Sequence, residues 1–282
     1  MRTRRSLVVL ALSALAAAAV VSCGSDDKPS ISGASTSTAS ATSTTVAATS
    51  TASVYLFRDE KVGPVRRPVV AATPARSAMS ELLAGPTARE RAAGLVTMIP
   101  VGTRLLGIVI TSGIATVDLS KEFTSGGGSL SMQGRVAQVV YTLTQFSTAS
   151  SVNFKIDGVS LTLLGGEGIM LDTPQTRADS ENMTPAILVE SPLPFDRVAS
   201  PVRITGTANT FEATFQITVT DSTGKTVYDH FATATSGSGT RGTFDESVTF
   251  SGATPGRGTL EVYESSAEDG RPINVVKIPI DL

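Results

Sequence analysis

The stretch LLGIVITSGIATVDL, residues 105–119, contains two strand patterns separated by a turn. Its first half, Leu105–Ile110, is a continuous apolar run of the kind found in buried strands. Its second half, Ala115–Leu119, alternates between apolar and polar side chains, which is typical of a strand with one buried face. Ser112-Gly113 lies between the halves and predicts a tight turn, so this stretch predicts an antiparallel hairpin.

The residues before the hairpin carry the start and stop signals of a helix. Thr73 is a suitable N-cap, Pro74 fits the first helical position, and Gly85-Pro86 stops the helix. Between these signals the apolar side chains recur at helical spacing. The short β-prone run Val54–Phe57 precedes this helix and predicts a strand.

After the hairpin, residues 132–146 fit two patterns. Their apolar positions match a helical stripe, yet alternate residues also match a strand face, and the β-branched content favours a strand. The length of the segment favours a helix. Further on, Asp157-Gly158 separates two alternating runs, Val152–Ile156 and Val159–Leu163, and predicts a second hairpin. The predicted order is β-α-β-β-α-β-β, an α+β arrangement.

The last hundred residues predict only strands. Phe211–Thr220 alternates strictly between apolar and polar residues, and Asp221–Gly224 is a turn. Seven short strands fit an immunoglobulin-like sandwich without the Cys…Trp…Cys signature, so apolar burial alone must hold its sheets together. The other six predicted strands are Ala186–Glu190, Val202–Ala208, Thr226–Thr233, Thr243–Phe250, Gly258–Ser265 and Asn274–Ile280.

The amino terminus has the pattern of an export signal. Three arginines precede the apolar run Leu7–Val21, which is shorter than the ~20 residues of a membrane-spanning helix. The run ends in Val20-Val21-Ser22-Cys23, which resembles the lipobox of bacterial lipoproteins. The resemblance implies cleavage between Ser22 and Cys23 and a lipid on the Cys23 thiol. Residues 24–53 are almost all Ser, Thr, Ala and Gly, and we expect a disordered linker.

Composition excludes several classes of chemistry. One Cys and one His cannot build a Cys/His zinc site, and one Cys cannot form an intramolecular disulfide. Removing residues 1–22 would change the formal net charge from −2 to −5, which argues against nucleic-acid binding. We expect no cofactor and no metal.

Five motifs follow one another in the first predicted domain: Glu81–Pro86, Thr97–Pro100, Ala115–Phe123, Ala137–Phe146 and Val152–Gly158. In this order they resemble the GerMN domain, the sporulation and germination domain of bacterial envelope proteins. The resemblance implies a helix at residues 132–146, and a relation to the ring-building modules of secretion and sporulation machines, which leaves oligomerisation through this domain open.

The all-β half contains five further motifs: Val189–Pro194, Ala199–Val202, Gly206–Ala208, Phe211–Ala213 and Glu264–Gly270. By these motifs it is similar to the immunoglobulin-like domain of bacterial spore germination proteins. We therefore expect a signal peptide at 1–22, a lipidated Cys23 with linker to 53, a GerMN domain at 54–170, a linker at 171–184 and the immunoglobulin-like domain at 185–282.

Few residues are candidates for catalysis or metal binding. Asp118 and Glu122 could act as an acid and base pair like that of glycosidases, although a strand end followed by a solvated turn is the favoured explanation of both. His230 is the only imidazole and lies in a predicted strand. An acidic turn with Glu264, Glu268 and Asp269 could hold calcium, but such turns are usually only solvated.

These observations favour a non-catalytic lipoprotein, anchored outside the cytoplasm, that binds envelope proteins or peptidoglycan. The resemblances bring no catalytic residue to this chain. Two alternatives stay open: a cell-wall hydrolase that uses Asp118 and Glu122, and an accessory or sensor subunit of a membrane complex.

Overall fold

The structure is a computed structural model that describes residues 48–166 and 168–282. The predicted signal peptide, Ser22, Cys23 and most of the predicted linker lie outside these residues. Within the described part, no helix has both the length and the apolar character that a membrane crossing requires.

The amino-terminal part, residues 49–170, contains strands and helices in alternation. The strands are β1 Thr49–Arg58, β2 Lys61–Val70, β3 Leu105–Thr111, β4 Gly113–Leu119, β5 Ala149–Ile156, β6 Val159–Ser160, β7 Leu163–Leu164 and β8 Ile169–Met170. The helices are α1 Pro74–Ala84, α2 Ala88–Ala92 and α3 Ser129–Leu143, and a 3-10 turn covers Lys121–Thr124.

The predicted hairpin forms two strands of a four-stranded sheet. β3 pairs with β4 antiparallel, β4 pairs with β5 parallel, and β6 adds two residues, in the order β3-β4-β5-β6. The parallel pair needs a crossover, and α3 provides it, which confirms the helical interpretation of residues 132–146. Gly134 lets α3 approach its neighbours closely, because a Cβ there would lie 2.7 Å from Cγ of Met98.

The structure corrects the predicted order. It adds β2, α2, β7 and β8, and the predicted strand Val159–Leu163 is reduced to β6. β2 is a full strand between β1 and α1, paired antiparallel with β1, and the sequence pattern did not show it. Pro64 and Pro68 hide the signal, because proline normally breaks a strand. Both are tolerated here because β2 pairs with β1 on one side and has no strand on its other side in the described chain. β1 begins at Thr49, so residues 49–53 of the predicted linker are strand.

Two smaller expectations also differ from the structure. Thr73 occupies the N-cap of α1, but its side chain makes no capping hydrogen bond. The expected linker at 171–184 is packed against the rest of the chain: it forms a 3-10 turn over Ala178–Met183, and Gln175 bridges to Val152 of β5.

The carboxy-terminal part, residues 187–281, is the predicted sandwich of seven strands. Its two sheets have the orders β13-β10-β9 and β12-β11-β14-β15, and the rings of Phe215 and Phe244 meet between them at 4.7 Å. The strands are β9 Ile187–Ser191, β10 Val202–Ala208, β11 Thr214–Thr220, β12 Thr226–Thr233, β13 Gly242–Val248, β14 Arg257–Ser265 and β15 Pro272–Asp281.

The strand predicted at Phe211–Thr220 starts later than expected. Phe211–Ala213 is a 3-10 turn and β11 begins at Thr214, so the Phe211 ring is exposed rather than in the core. The backbone N–H of Phe211 donates to the carboxylate of Glu264 at 2.7 Å. This bond fixes the turn, and alternation alone could not reveal it.

A buried ion pair attaches α2 to β2. The guanidinium of Arg67 donates two hydrogen bonds of 2.6 Å to the carboxylate of Glu90, and both side chains are less than a tenth exposed. The same carboxylate accepts the backbone N–H of Thr87 at 2.7 Å and completes the capping box of α2. The Glu90 carboxylate thus fixes both the start of α2 and the position of α2 against β2.

We predict that Arg67→Met lowers the free energy of unfolding by about 3–5 kcal/mol, because it leaves the Glu90 carboxylate buried without its cation. Urea unfolding measures the loss. Arg76→Met is the matched control, because Arg76 is exposed on α1 and its replacement should change stability by less than ~0.5 kcal/mol. Equal losses in the two variants would contradict the role given to the pair.

Candidate functional site

The two parts of the chain meet at an apolar cluster, here called the joint. Its members come from β1, β2, α3, the 3-10 turn Ala178–Met183 and β9. They are Tyr55, Phe57, Val62, Ala137, Tyr141, Met183 and Leu188, all buried. The described residues accordingly form one compact unit.

A charged network lies at the edge of the joint. Arg177 donates to Glu190 at 2.8 Å, to the Tyr55 hydroxyl at 3.3 Å and to the Thr144 hydroxyl at 2.9 Å. Its guanidinium also lies over the Tyr141 ring at 4.6 Å. The Tyr55 hydroxyl in turn donates to Glu190. Burial, followed by the charge of Glu190, raises the pKa of Tyr55 far above its usual value, so this hydroxyl remains a proton donor.

A second set of contacts joins the β1–β2 hairpin and α2 to the loop after β9. Arg66 forms a two-point ion pair with Asp196, at 2.8 and 2.7 Å. The guanidinium of Arg89 stacks on the Phe195 ring at 3.5 Å, and Arg257 approaches the same ring at 5.3 Å. Together with the joint, these contacts restrict rotation of one part against the other.

A cleft of about 540 Å³ remains between the two parts, and we call it the interdomain cleft. It lies beside the turn between β1 and β2, and beside β9 and β15. The contacts described above hold the two parts together around it. Its lining is Arg58, Asp59, Lys61, Val62, Gly63, Pro64, Leu95, Pro185, Ala186, Ile187, Leu188, Val189, Pro194, Asn274, Val275, Val276, Lys277 and Ile278. Pockets of this size at a domain boundary are common ligand sites.

Two cations mark one end of the interdomain cleft. Lys61 donates from Nζ to the backbone carbonyl of Asn182 at 2.7 Å. The Arg58 side chain is half-buried, and its Nε has no hydrogen-bond partner in the part of the chain that the structure describes. A guanidinium without an anion in such a position is a ready partner for a carboxylate.

The candidate acid and base residues have structural roles. Asp118 lies on β4 and accepts the backbone N–H of Gly158 at 3.0 Å, which supports the turn after β5. Glu122 lies in the 3-10 turn, where the Ser120 hydroxyl and the backbone N–H of Glu122 lower its pKa. A general acid needs the opposite shift, so Glu122 is poorly suited to protonate a leaving group at neutral pH.

The remaining candidates are also used by the fold. His230 is exposed on β12 and its ring contacts Tyr228 at 4.8 Å. Glu264 accepts from Phe211 and, at 2.7 Å, from the amide of Asn274, while Asp269 pairs with Arg271. Among residues 48–166 and 168–282, no group of three or more His, Cys, Asp or Glu side chains could hold a metal ion.

Sequence patterns alone do not identify the residues that line the interdomain cleft. The signal that could have found the hairpin turn is the charged run Arg58-Asp59-Glu60-Lys61 between two β-rich segments. Nothing in the local sequence indicates that this turn lies opposite β15, because that proximity depends on how the two parts join.

We predict that Arg177→Leu lowers the free energy of unfolding by ~1.5–3 kcal/mol and uncouples the two parts, because it removes charged hydrogen bonds at the edge of the joint. Amide hydrogen exchange in α3 and in β11 would then report different stabilities. Arg203→Leu is the control, since it breaks an exposed ion pair with Asp245 inside the sandwich. Similar effects of both variants would speak against a coupling role for Arg177.

Comparisons with known proteins agree with this architecture. Residues 53–162 match the family described as sporulation and spore germination, and residues 186–271 match the immunoglobulin-like domain of bacterial spore germination. A search of the curated proteins found no relative.

Two solved structures are similar to parts of the chain. The first GerMN domain of the sporulation protein GerM from Bacillus subtilis is 26% identical with a TM-score of 0.39, and the match covers 46% of this chain and 99% of that one. The tandem GerMN domains of the same protein are 17% identical with a TM-score of 0.40, over 72% of this chain and 62% of theirs. By its family matches, the chain joins a segment of the sporulation and spore germination family to an immunoglobulin-like segment of bacterial spore germination.

Proposed function

We propose that this protein is a lipid-anchored component of the bacterial cell envelope that binds another envelope component and catalyses no reaction. The observation that carries the proposal is the interdomain cleft, an apolar site of ligand size between two parts that a joint holds together. The families matched by the two segments belong to sporulation and germination, which are processes of the bacterial envelope.

The anchor is proposed from the sequence around Cys23. The only cysteine of the chain follows an apolar run and a small residue, Ser22, as a lipobox requires. One acyl chain binds a membrane only weakly, whereas the two or three chains of a lipidated amino-terminal cysteine hold it stably. The folded residues then lie outside the cytoplasm, where they can contact envelope proteins or peptidoglycan.

The non-catalytic part of the proposal rests on the state of the candidate residues. Asp118 is engaged by a backbone N–H, and the pKa of Glu122 is shifted away from that of a general acid. A cell-wall hydrolase is therefore the weaker alternative. An accessory subunit of a membrane complex is compatible with the same cleft, as is oligomerisation through the GerMN domain. Nucleic acid is an unsuitable partner for an acidic chain.

We predict that Cys23→Ala abolishes covalent incorporation of an alkyne-labelled fatty acid in the producing bacterium, because the thiol is the acceptor. Mass spectrometry of the purified chain measures the lipid and the site of cleavage together. Ser22→Ala is the control, since alanine keeps the small residue before the cysteine and should leave labelling intact. Full labelling of the Cys23→Ala protein would contradict the anchor.

We predict that the purified protein releases no sugar or peptide from isolated cell walls, and that Asp118→Asn and Glu122→Gln change nothing in this measurement. Chromatography of the soluble products provides the readout. Release by the wild type that both variants lose, with their folds intact, would instead establish the hydrolase.

A further inference from the structure

We infer that the interdomain cleft binds an extended, acidic peptide segment of a partner protein, which adds a strand to the free edge of β15. This inference rests on the proposed binding function and names the partner chemistry of its site. Three features carry it: the backbone groups along β15, the apolar lining beside them, and the unpaired guanidinium of Arg58.

The register of β15 shows which of its backbone groups face the cleft. The carbonyl of Pro279 accepts the N–H of Phe195 at 2.6 Å, so residue 279 faces away from β14. Because strand residues alternate in direction, Lys277 also turns its N–H and C=O groups away from β14. The pairing is regular from Pro279 to Val276 and shifts in register beyond Val276, so the alternation is followed only as far as Lys277. Lys277 lines the cleft, and no backbone partner occupies this side of it within the described chain.

These unpaired groups are suited to strand addition. An edge strand with free N–H and C=O groups can pair with an extended peptide, which gains main-chain hydrogen bonds whatever its sequence. The lining residues Asn274–Ile278 cover ~16 Å of strand at 3.3 Å per residue, enough for about five residues of a bound segment. The loop at Phe195 closes one end of this edge and limits the length of the ligand.

The lining selects apolar side chains on the ligand. Val275 is 40% exposed at the mouth of the cleft, and Val62, Leu95 and Pro194 line it from other elements. No aromatic side chain is among the described lining residues, so the cleft has no ring on which a sugar could stack. A peptide with alternating apolar residues therefore fits better than a glycan strand.

Arg58 selects an acidic group. Its Nε is buried without a partner in the described part of the chain, and Asp59 beside it forms no ion pair with it there. The amino group of Lys61 lies at the same hairpin turn. A planar guanidinium binds a carboxylate with two parallel hydrogen bonds, which is stronger and more directional than a single contact. An Asp or Glu side chain of the partner supplies that carboxylate.

The experiment uses the full chain in detergent and a panel of blocked hexapeptides of alternating valine and threonine, in which glutamate occupies each position in turn. We expect at least one peptide to slow hydrogen exchange at the amide of Lys277. The same peptides with lysine in place of glutamate should bind at least tenfold more weakly, since a charged hydrogen bond is lost.

Two variants test the two halves of the inference. Arg58→Gln should weaken peptide binding about tenfold or more, whereas Arg76→Gln makes the same change of charge on exposed α1 and should leave binding unchanged. Lys277→Gln keeps the N–H of residue 277 and should retain peptide binding. Lys277→Pro removes this free N–H without touching the β14 ladder and should abolish peptide binding. If that variant unfolds, Arg58→Gln still decides, because Arg58 lies outside β15.

Several outcomes would overturn the inference. These are no protection of the Lys277 amide by any peptide of the panel, equal binding of the glutamate and lysine peptides, unchanged binding by Arg58→Gln, or protection of the same amide by peptidoglycan fragments alone. None of these outcomes would change the result of lipid labelling at Cys23 or of the cell-wall assay. Failure of the peptide site is therefore distinguishable from failure of the proposed function.

Discussion

The guanidinium of Arg177 is the contact on which the arrangement of this molecule depends. It touches Glu190 at the end of β9, Tyr55 on β1 and Thr144 after α3, and it covers the ring of Tyr141. One cation thus links three elements of different origin. Because the network borders an apolar cluster, its hydrogen bonds are partly shielded from water, and they direct the packing of Tyr55 and Tyr141 to one geometry.

The cleft is a consequence of that joint. The turn between β1 and β2 and the strand β15 belong to different parts of the chain. Only a fixed connection between the parts keeps the two at a constant separation. A cleft held open in advance costs little ordering when a ligand binds, so a modest set of contacts can produce useful affinity. Arg66 and Asp196, together with the stack of Arg89 on Phe195, support the same arrangement from the other side of the hairpin.

Sequence patterns predicted the elements better than their assembly. The hairpin at residues 105–119 and the seven sandwich strands followed from the apolar patterns of the sequence. The pattern of helix α3 fitted both a helix and a strand, and the helix followed from the length of the segment and from the family resemblance. β2 was missed because Pro64 and Pro68 normally exclude a strand, and Phe211 was misplaced because Glu264, distant in sequence, holds its backbone in a turn. Arg58 could not be recognised as a site residue, since its surroundings come from residues 185–189 and 274–278.

The most direct test of this account measures whether the two parts share one orientation in solution. Residual dipolar couplings of backbone amides in the full chain, collected separately for residues 49–170 and 187–281, give an alignment tensor for each part. We predict a single common tensor, which reproduces the relative orientation of β1 and β9. Two tensors of different magnitude would show that the parts move independently, and the preformed cleft would then be contradicted.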